Sequence, residues 1–206
     1  MIRGKNLLRK QSRSLISMRS FNEASVPLPI SDILAPKGVF DLEIGCGVGL
    51  HPIKRSLDYP NKTLVAIERT SAKFDKFYRR WIAHGKMTNL IPVHDDAIFW
   101  ITHRVAPKTL SEVFILYPNP EPGNKNQRFG HMPFMNFLKT RMISQGRLSL
   151  ATNIQSYAKE CEKELPCKGW KLVTSELYQK QGRTHFERKY LERGMECFNL
   201  VFEAID

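Results

Sequence analysis

The sequence predicts an α/β fold with a mostly parallel, seven-stranded sheet, helices on both faces and an antiparallel C-terminal strand pair. Three observations predict it. Five apolar runs of strand length each precede a segment with helical spacing, the pattern of parallel strands joined by crossover helices. Glycines follow the first apolar run at once, as in a tight strand-to-helix turn. The last two runs, 170–178 and 196–205, read as strands with only a polar turn between them, which suits an antiparallel edge.

The elements follow in order. "VFDLEIG" (39–45) reads as a buried strand and "LHPIKRSL" (50–57) as a short helix. "TLVAIE" (63–68) is the second strand. "SAKFDKFYRRWIAHGKM" (71–87) has helical spacing, with Phe74, Phe77, Tyr78, Trp81 and Ile82 on one side, predicted to face the core. "NLIPVH" (89–94) and "AIFWITHRV" (97–105) are the third strand and helix, "EVFILY" (112–117) and "MPFMNFLKTRMI" (132–143) the fourth. "GRLSLAT" (146–152) and "IQSYAKECEKEL" (154–165) are the fifth. Upstream, residues 1–22 carry Arg3, Lys5, Arg9, Lys10, Arg13 and Arg19 and no acid. They read as a mobile basic arm or short surface helix. The breaker-rich "VPLP" and "LAPKG" lead into the domain, so the expected division is an arm at 1–22 and one domain at 23–206.

The 206 residues suffice for one domain with a full core. A net charge of +12 points to a polyanionic partner, nucleic acid before membrane. No apolar run approaches a membrane span, and the basic N-terminus has no apolar signal core. Cys46, Cys161, Cys167 and Cys197 form no CxxC pair and do not cluster with His at zinc spacing. Reduced thiols, no metal and a cytoplasmic location are expected.

"LEIGCGVG" places Gly45, Gly47 and Gly49 directly after the first strand. Glycines there let the backbone turn tightly and approach a ligand, and the next helix offers free N–H groups to an anion. The dinucleotide fingerprint fails, because its third glycine position falls on Leu50. Glu68 ends the second strand, where a carboxylate can accept both ribose hydroxyls. Asp96, followed by Ala97, lies just past the third strand, where a short acid can accept an adenine amine. All three segments end on one carboxyl edge of the sheet. Together they fit S-adenosylmethionine as the cofactor.

Several motifs carry a family resemblance from about residue 38 onward: "LEIGCGVG", "IER", "DDA", "YPNPEP", "GRLSLATN" and "RTHFERKYLERGMECFNLVFE". The last is the most specific, with Thr184, Phe186, Glu187, Gly194, Leu200, Phe202 and Glu203 at the signature positions. The chain resembles the bacterial, single-subunit tRNA (guanine-N7-)-methyltransferases. That resemblance implies a Rossmann-like class I methyltransferase fold, S-adenosylmethionine as donor and a guanine in the tRNA variable loop as acceptor. It implies donor contacts at Glu43, at Gly45, Cys46, Gly47 and Gly49 of the glycine loop, at Glu68 and Arg69, and at Asp96 and Ala97. It implies guanine contacts at Thr184, His185, Phe186 and Glu187. A tRNA partner and a monomer or weak homodimer are expected.

The chain departs from the family at the fourth strand's edge. The family pattern there resembles P-D-P-W-P-K followed by a dense basic run. Here Asn119 stands for the acid, Glu121 for the Trp and Gly123 for the Lys, and the basic run is thinned to Lys125 and Arg128. After the fifth strand the family's T-D is Thr152–Asn153. Asn119 and Glu121 are the expected catalytic residues, with Asn119 and Asn153 also expected to meet the substrate. Two alternatives stay open: methylation of an exocyclic amine through the Asn-Pro edge, and an RNA-binding homologue with weakened catalysis.

Overall fold

The computed structural model describes residues 20–119 and 123–205. Residues 1–19 of the arm, and Glu121 with its flanking prolines, lie outside the described residues. Strands β1 (Phe40–Ile44), β2 (Leu64–Glu68), β3 (Leu90–His94), β4 (Leu110–Leu116), β5 (Met142–Thr152), β6 (Trp170–Leu177) and β7 (Phe198–Ala204) form one sheet in the order β3-β2-β1-β4-β5-β7-β6. β1 to β5 pair in parallel, while β7 is antiparallel to both β5 and β6. Helices α1 (Leu50–Asp58), α2 (Ser71–Ala83), α3 (Ala97–Arg104), α4 (Phe134–Arg141), α5 (Gln155–Glu164) and α6 (His185–Glu192) connect the strands. The order reverses between β1 and β4, which opens a crevice at the carboxyl edge of the sheet.

β1 shows how the strands choose their faces. All five of its residues are buried. Phe40, Leu42 and Ile44 join the larger core with Val65, Ile67 and Val113. Period-2 alternation puts Asp41 and Glu43 on the other face, where α1 packs. Helix α1 meets them with His51 and Arg55, four residues apart and hence on one helical face. Arg55 bonds Asp41 at 2.7 Å and Glu112 at 2.7 Å, and His51 Nδ1 lies 2.8 Å from Glu43 Oε2. Two acids in a buried strand are thus paired rather than orphaned, as burial demands.

Three expectations change. The final strands are not joined by a turn alone: α6 lies between β6 and β7. Its start, Thr184-His185-Phe186-Glu187, has the sequence of a capping box, with Glu187 Oε2 reaching back to accept the Arg183 N–H at 2.6 Å, one residue before the cap. Thr184 Oγ1 accepts the Glu187 N–H at 3.0 Å, so the T-x-F-E signature also nucleates a helix. Second, the apolar side of α2 is only partly core. Phe77 is fully buried and Phe74 and Trp81 pack on the smaller core, but Tyr78 and Ile82 are exposed. Third, β5 begins at Met142, directly after α4, with an irregularity in its pairing with β4 before Arg147. At the other end of the chain Phe21 packs against Phe134 and Phe137, so ordered packing already begins within the expected arm.

Candidate active site

A cavity of about 820 Å³ opens at the carboxyl ends of β1 to β4. The glycine turn forms one wall. Gly45 and Gly47 have φ of +72° and +61°, and a side chain on either would point into open space. Glycine adopts this left-handed backbone without penalty. Gly49 caps α1 and lies outside the cavity wall, packed against the Phe77 ring. Cys46 lies between the glycines. Burial first, then the charges of Glu43 and Glu68, push its thiol well above the usual range, so it stays neutral.

Glu68 is buried at the end of β2. Its two oxygens accept the Gly47 N–H at 2.9 Å and the Thr70 N–H at 2.8 Å. Each carboxylate oxygen has a further lone pair, so the acid can brace the glycine turn and still receive a diol. Asp96 caps α3, accepting the Ile98 N–H at 2.9 Å, while its other oxygen is 3.7 Å from Arg69. Arg69 is 77% exposed on its side chain. Ala97 begins α3 beside it and also lines the cavity.

Across the cavity stand Leu116, Tyr117, Pro118 and Asn119 from the end of β4. Tyr117 has φ +54°, uncommon for a bulky residue. It is held at both ends. Its N–H donates to Ala151 at 2.8 Å, and its hydroxyl donates to Glu187 Oε1 at 2.9 Å. Burial first, then hydrogen bonding with Cys197 and the charge of Glu187, raise the phenol far above its usual pKa, so it remains a donor.

Thr184, His185 and Phe186 at the start of α6 close the same cavity. Phe186 is 43% exposed and its ring stacks on Tyr190. Glu187 points the other way. It is 0% exposed and lies beneath the wall, where it also accepts from Arg183 Nη2 at 2.7 Å. Burial alone would raise its pKa, but the hydrogen bonds and charge of Arg183 hold it below the usual value. Asn153 lies past the β5 edge and does not line the cavity.

The two loop cations, Lys125 and Arg128, reach Glu160 of α5 at 3.6 and 2.7 Å. Both cations thus pair with an acid of the scaffold. Lys73 and Lys76 of α2 line the cavity instead. Their helical spacing put them on a polar face, and nothing local in the sequence marked them. Asp95 was also missed. It is buried on the cavity wall and accepts the Ser31 N–H at 2.8 Å, tying the N-terminal segment to the β3 edge.

Residues 37–200 match a family model described as "Putative methyltransferase". The tRNA (guanine-N(7)-)-methyltransferase of Chlorobium phaeobacteroides is 26% identical over 80% of this chain and 81% of its own. That of Nitrosomonas eutropha is 25% identical over 87% of this chain and 80% of its own. Among solved structures, the 16S rRNA methyltransferase KamB superposes with a TM-score of 0.64 at 17% identity, covering 82% of this chain and 88% of its own. At that identity the likeness establishes the fold alone.

Proposed function

The chain belongs to this methyltransferase family, and from that premise we propose that it is an S-adenosylmethionine-dependent tRNA (guanine-N7-)-methyltransferase. One observation carries the reading. The glycine turn, Glu68 and Asp96 share a single cavity with Asn119 and with Thr184, His185 and Phe186. The proposed donor and acceptor motifs, far apart in sequence, therefore line one cavity. The adenosine lies along the β2 and β3 ends, with Glu68 on the ribose and Asp96 on the adenine.

Guanine N7 has a free lone pair and no proton, so the reaction needs no general base. N7 attacks the methyl carbon in line, the carbon–sulfur bond breaks, and the thioether leaves as S-adenosylhomocysteine. Positive charge spreads onto the purine in the transition state. Acceptor oxygens near the ring stabilise it, and a charged one does so more strongly than a neutral one. Asn119 supplies a neutral oxygen from the β4 edge, and Glu121, two residues on in the sequence, is the candidate to supply the charge. Phe186 offers the exposed aromatic face on which the guanine stacks, in place of the family's Trp. Arg69, Lys73 and Lys76 at the rim meet tRNA phosphates, helped by the basic N-terminal arm. No described helix is long and apolar enough to cross a membrane, and a tRNA substrate is consistent with the expected cytoplasmic location.

The test is nucleoside mass spectrometry on unmodified tRNA incubated with the protein and S-adenosylmethionine. N7-methylguanosine is the expected product. A methylated exocyclic amine would favour the Asn-Pro alternative, and no methylated nucleoside would favour an RNA-binding role.

A further inference from the structure

We infer that His51 reads the carboxylate of the donor's amino-acid arm, with Glu43 holding the imidazole in place. The inference deepens the donor-binding reading above and rests on it. Glu43 was expected to touch the donor, whereas no special role was expected of His51. Both residues line the cavity. Glu43 is 1% exposed within β1, and its Oε2 is taken by His51 Nδ1 at 2.8 Å. His51 itself is 8% exposed and lines the cavity. Its ring is fixed edge-on against Phe114 at a centroid distance of 4.9 Å. Nε2 has no hydrogen-bond partner among the described residues, although every other feature of the ring is fixed.

The position suits an anion. The strand order β3-β2-β1-β4 lines up Asp96, Glu68, the glycine turn and Asn119 along the sheet edge. With adenine at β3 and ribose at β2, the sulfonium stands at β1. Its methyl must aim at Asn119 on β4, so its remaining arm, the amino acid, falls at the β1–α1 turn. There α1, nine residues long, begins at Leu50, and His51 sits in its first turn. Free N–H groups and the helix dipole favour a carboxylate at that end. With Nδ1–H donated to Glu43, Nε2 donates only when the ring carries both protons. The imidazolium then lies between two carboxylates, its own Glu43 and the ligand's. Of the other charged groups around the turn, Arg55, one turn on, is bound by Asp41 and Glu112, Glu68 holds Gly47 and Thr70, Arg80 of α2 donates to the Val48 carbonyl, and Lys73 and Lys76 line the cavity from α2.

The experiment is a cycle of two ligands and two proteins, read by calorimetry. S-adenosylhomocysteine carries the carboxylate, and S-adenosyl-3-thiopropylamine keeps the amine but lacks it. His51→Asn keeps a donor at the Nδ1 position for Glu43 and removes Nε2. His51→Phe keeps the ring against Phe114 and serves as the second variant should the first fail to fold. The natural protein should bind S-adenosylhomocysteine at least tenfold more tightly than the amine analogue. In the variants that preference should vanish, with affinity for the amine analogue changed less than threefold. Methylthioadenosine, which lacks the whole arm, reports whether the adenosine site is intact. Equal loss for all three ligands would make His51 a packing residue and overturn the inference, as would a preference that survives in both variants. If the natural protein binds none of the three, the donor-binding reading fails first and this inference falls with it.

Discussion

The Tyr117 hydroxyl donates to Glu187 Oε1 at 2.9 Å, across a sequence separation of seventy residues. Glu187 in turn holds the guanidinium of Arg183, which lies over the Tyr178 ring and reaches Asn199 at 2.9 Å. The β4 edge and the start of α6, which carry Asn119 and Phe186, are thereby locked to one another and to β7. Tyr117 keeps an unusual backbone at that edge because both its ends are tied. Such strain persists only where surrounding structure over-determines it.

Removing the hydroxyl alone should loosen the edge without emptying the donor pocket. Tyr117→Phe is expected to lose about 1 kcal/mol of stability. Single-turnover rates should fall severalfold, while affinity for S-adenosylhomocysteine stays within twofold. A matching loss of donor affinity would show that the lock serves the whole cavity.

The pH dependence follows from Glu187. Its folded pKa is depressed, so its contribution is fully present above the unfolded carboxyl value of about 4.3 and is lost as pH falls through the lower folded value. Glu187→Gln leaves Arg183 without its counter-charge and should cost about 3 kcal/mol at pH 7. Urea midpoints measured from pH 7 to pH 3 should show this gap unchanged down to about pH 5 and shrinking below about pH 4. A gap constant over the whole range would mean the carboxylate is not the stabilising species.

Two glycines of the turn should respond differently to alanine. At Gly49 the φ of +79° and the Phe77 ring both oppose a side chain. Gly49→Ala should destabilise by about 3 kcal/mol, combining left-handed strain with overpacking. At Gly47 the space is open and only φ opposes, so the cost should be about 1 kcal/mol. Urea denaturation of the two variants checks the order.

Glu68 supports the turn as well as the proposed ribose contact. Glu68→Gln keeps the shape and can still accept the Thr70 N–H. It should weaken S-adenosylhomocysteine binding by about 1.5 kcal/mol, roughly tenfold. Unchanged affinity in calorimetry would move the ribose elsewhere.

Asn119→Asp should raise the single-turnover rate about tenfold by restoring a negative charge beside a developing cation. The gain should be smaller if Glu121 already supplies that charge, and Glu121→Gln should then matter less in the Asn119→Asp background. A fall in rate with N7-methylguanosine still formed would refute the charge argument.

Sequence alone determined the parallel core of this protein, because its signals are local. Strand and helix periods differ, so "VFDLEIG", "TLVAIE" and "EVFILY" could be told from the helices that follow them. Once β1, β2 and β3 are parallel, the turn glycines, Glu68 and Asp96 must share one edge. The tertiary structure alone decided which polar groups serve that edge and which hold it. Glu187 stands in the same signature as Phe186, yet it turns inward, because Tyr117 and Arg183 satisfy it there. Lys125 and Arg128 look like a free basic run, yet Glu160, more than thirty residues on, draws both. His51 looks like an ordinary helix residue until Glu43 is found beside it. A buried charge is stable only with a partner, and the identity of that partner is a fact of three-dimensional packing rather than of spacing along the chain.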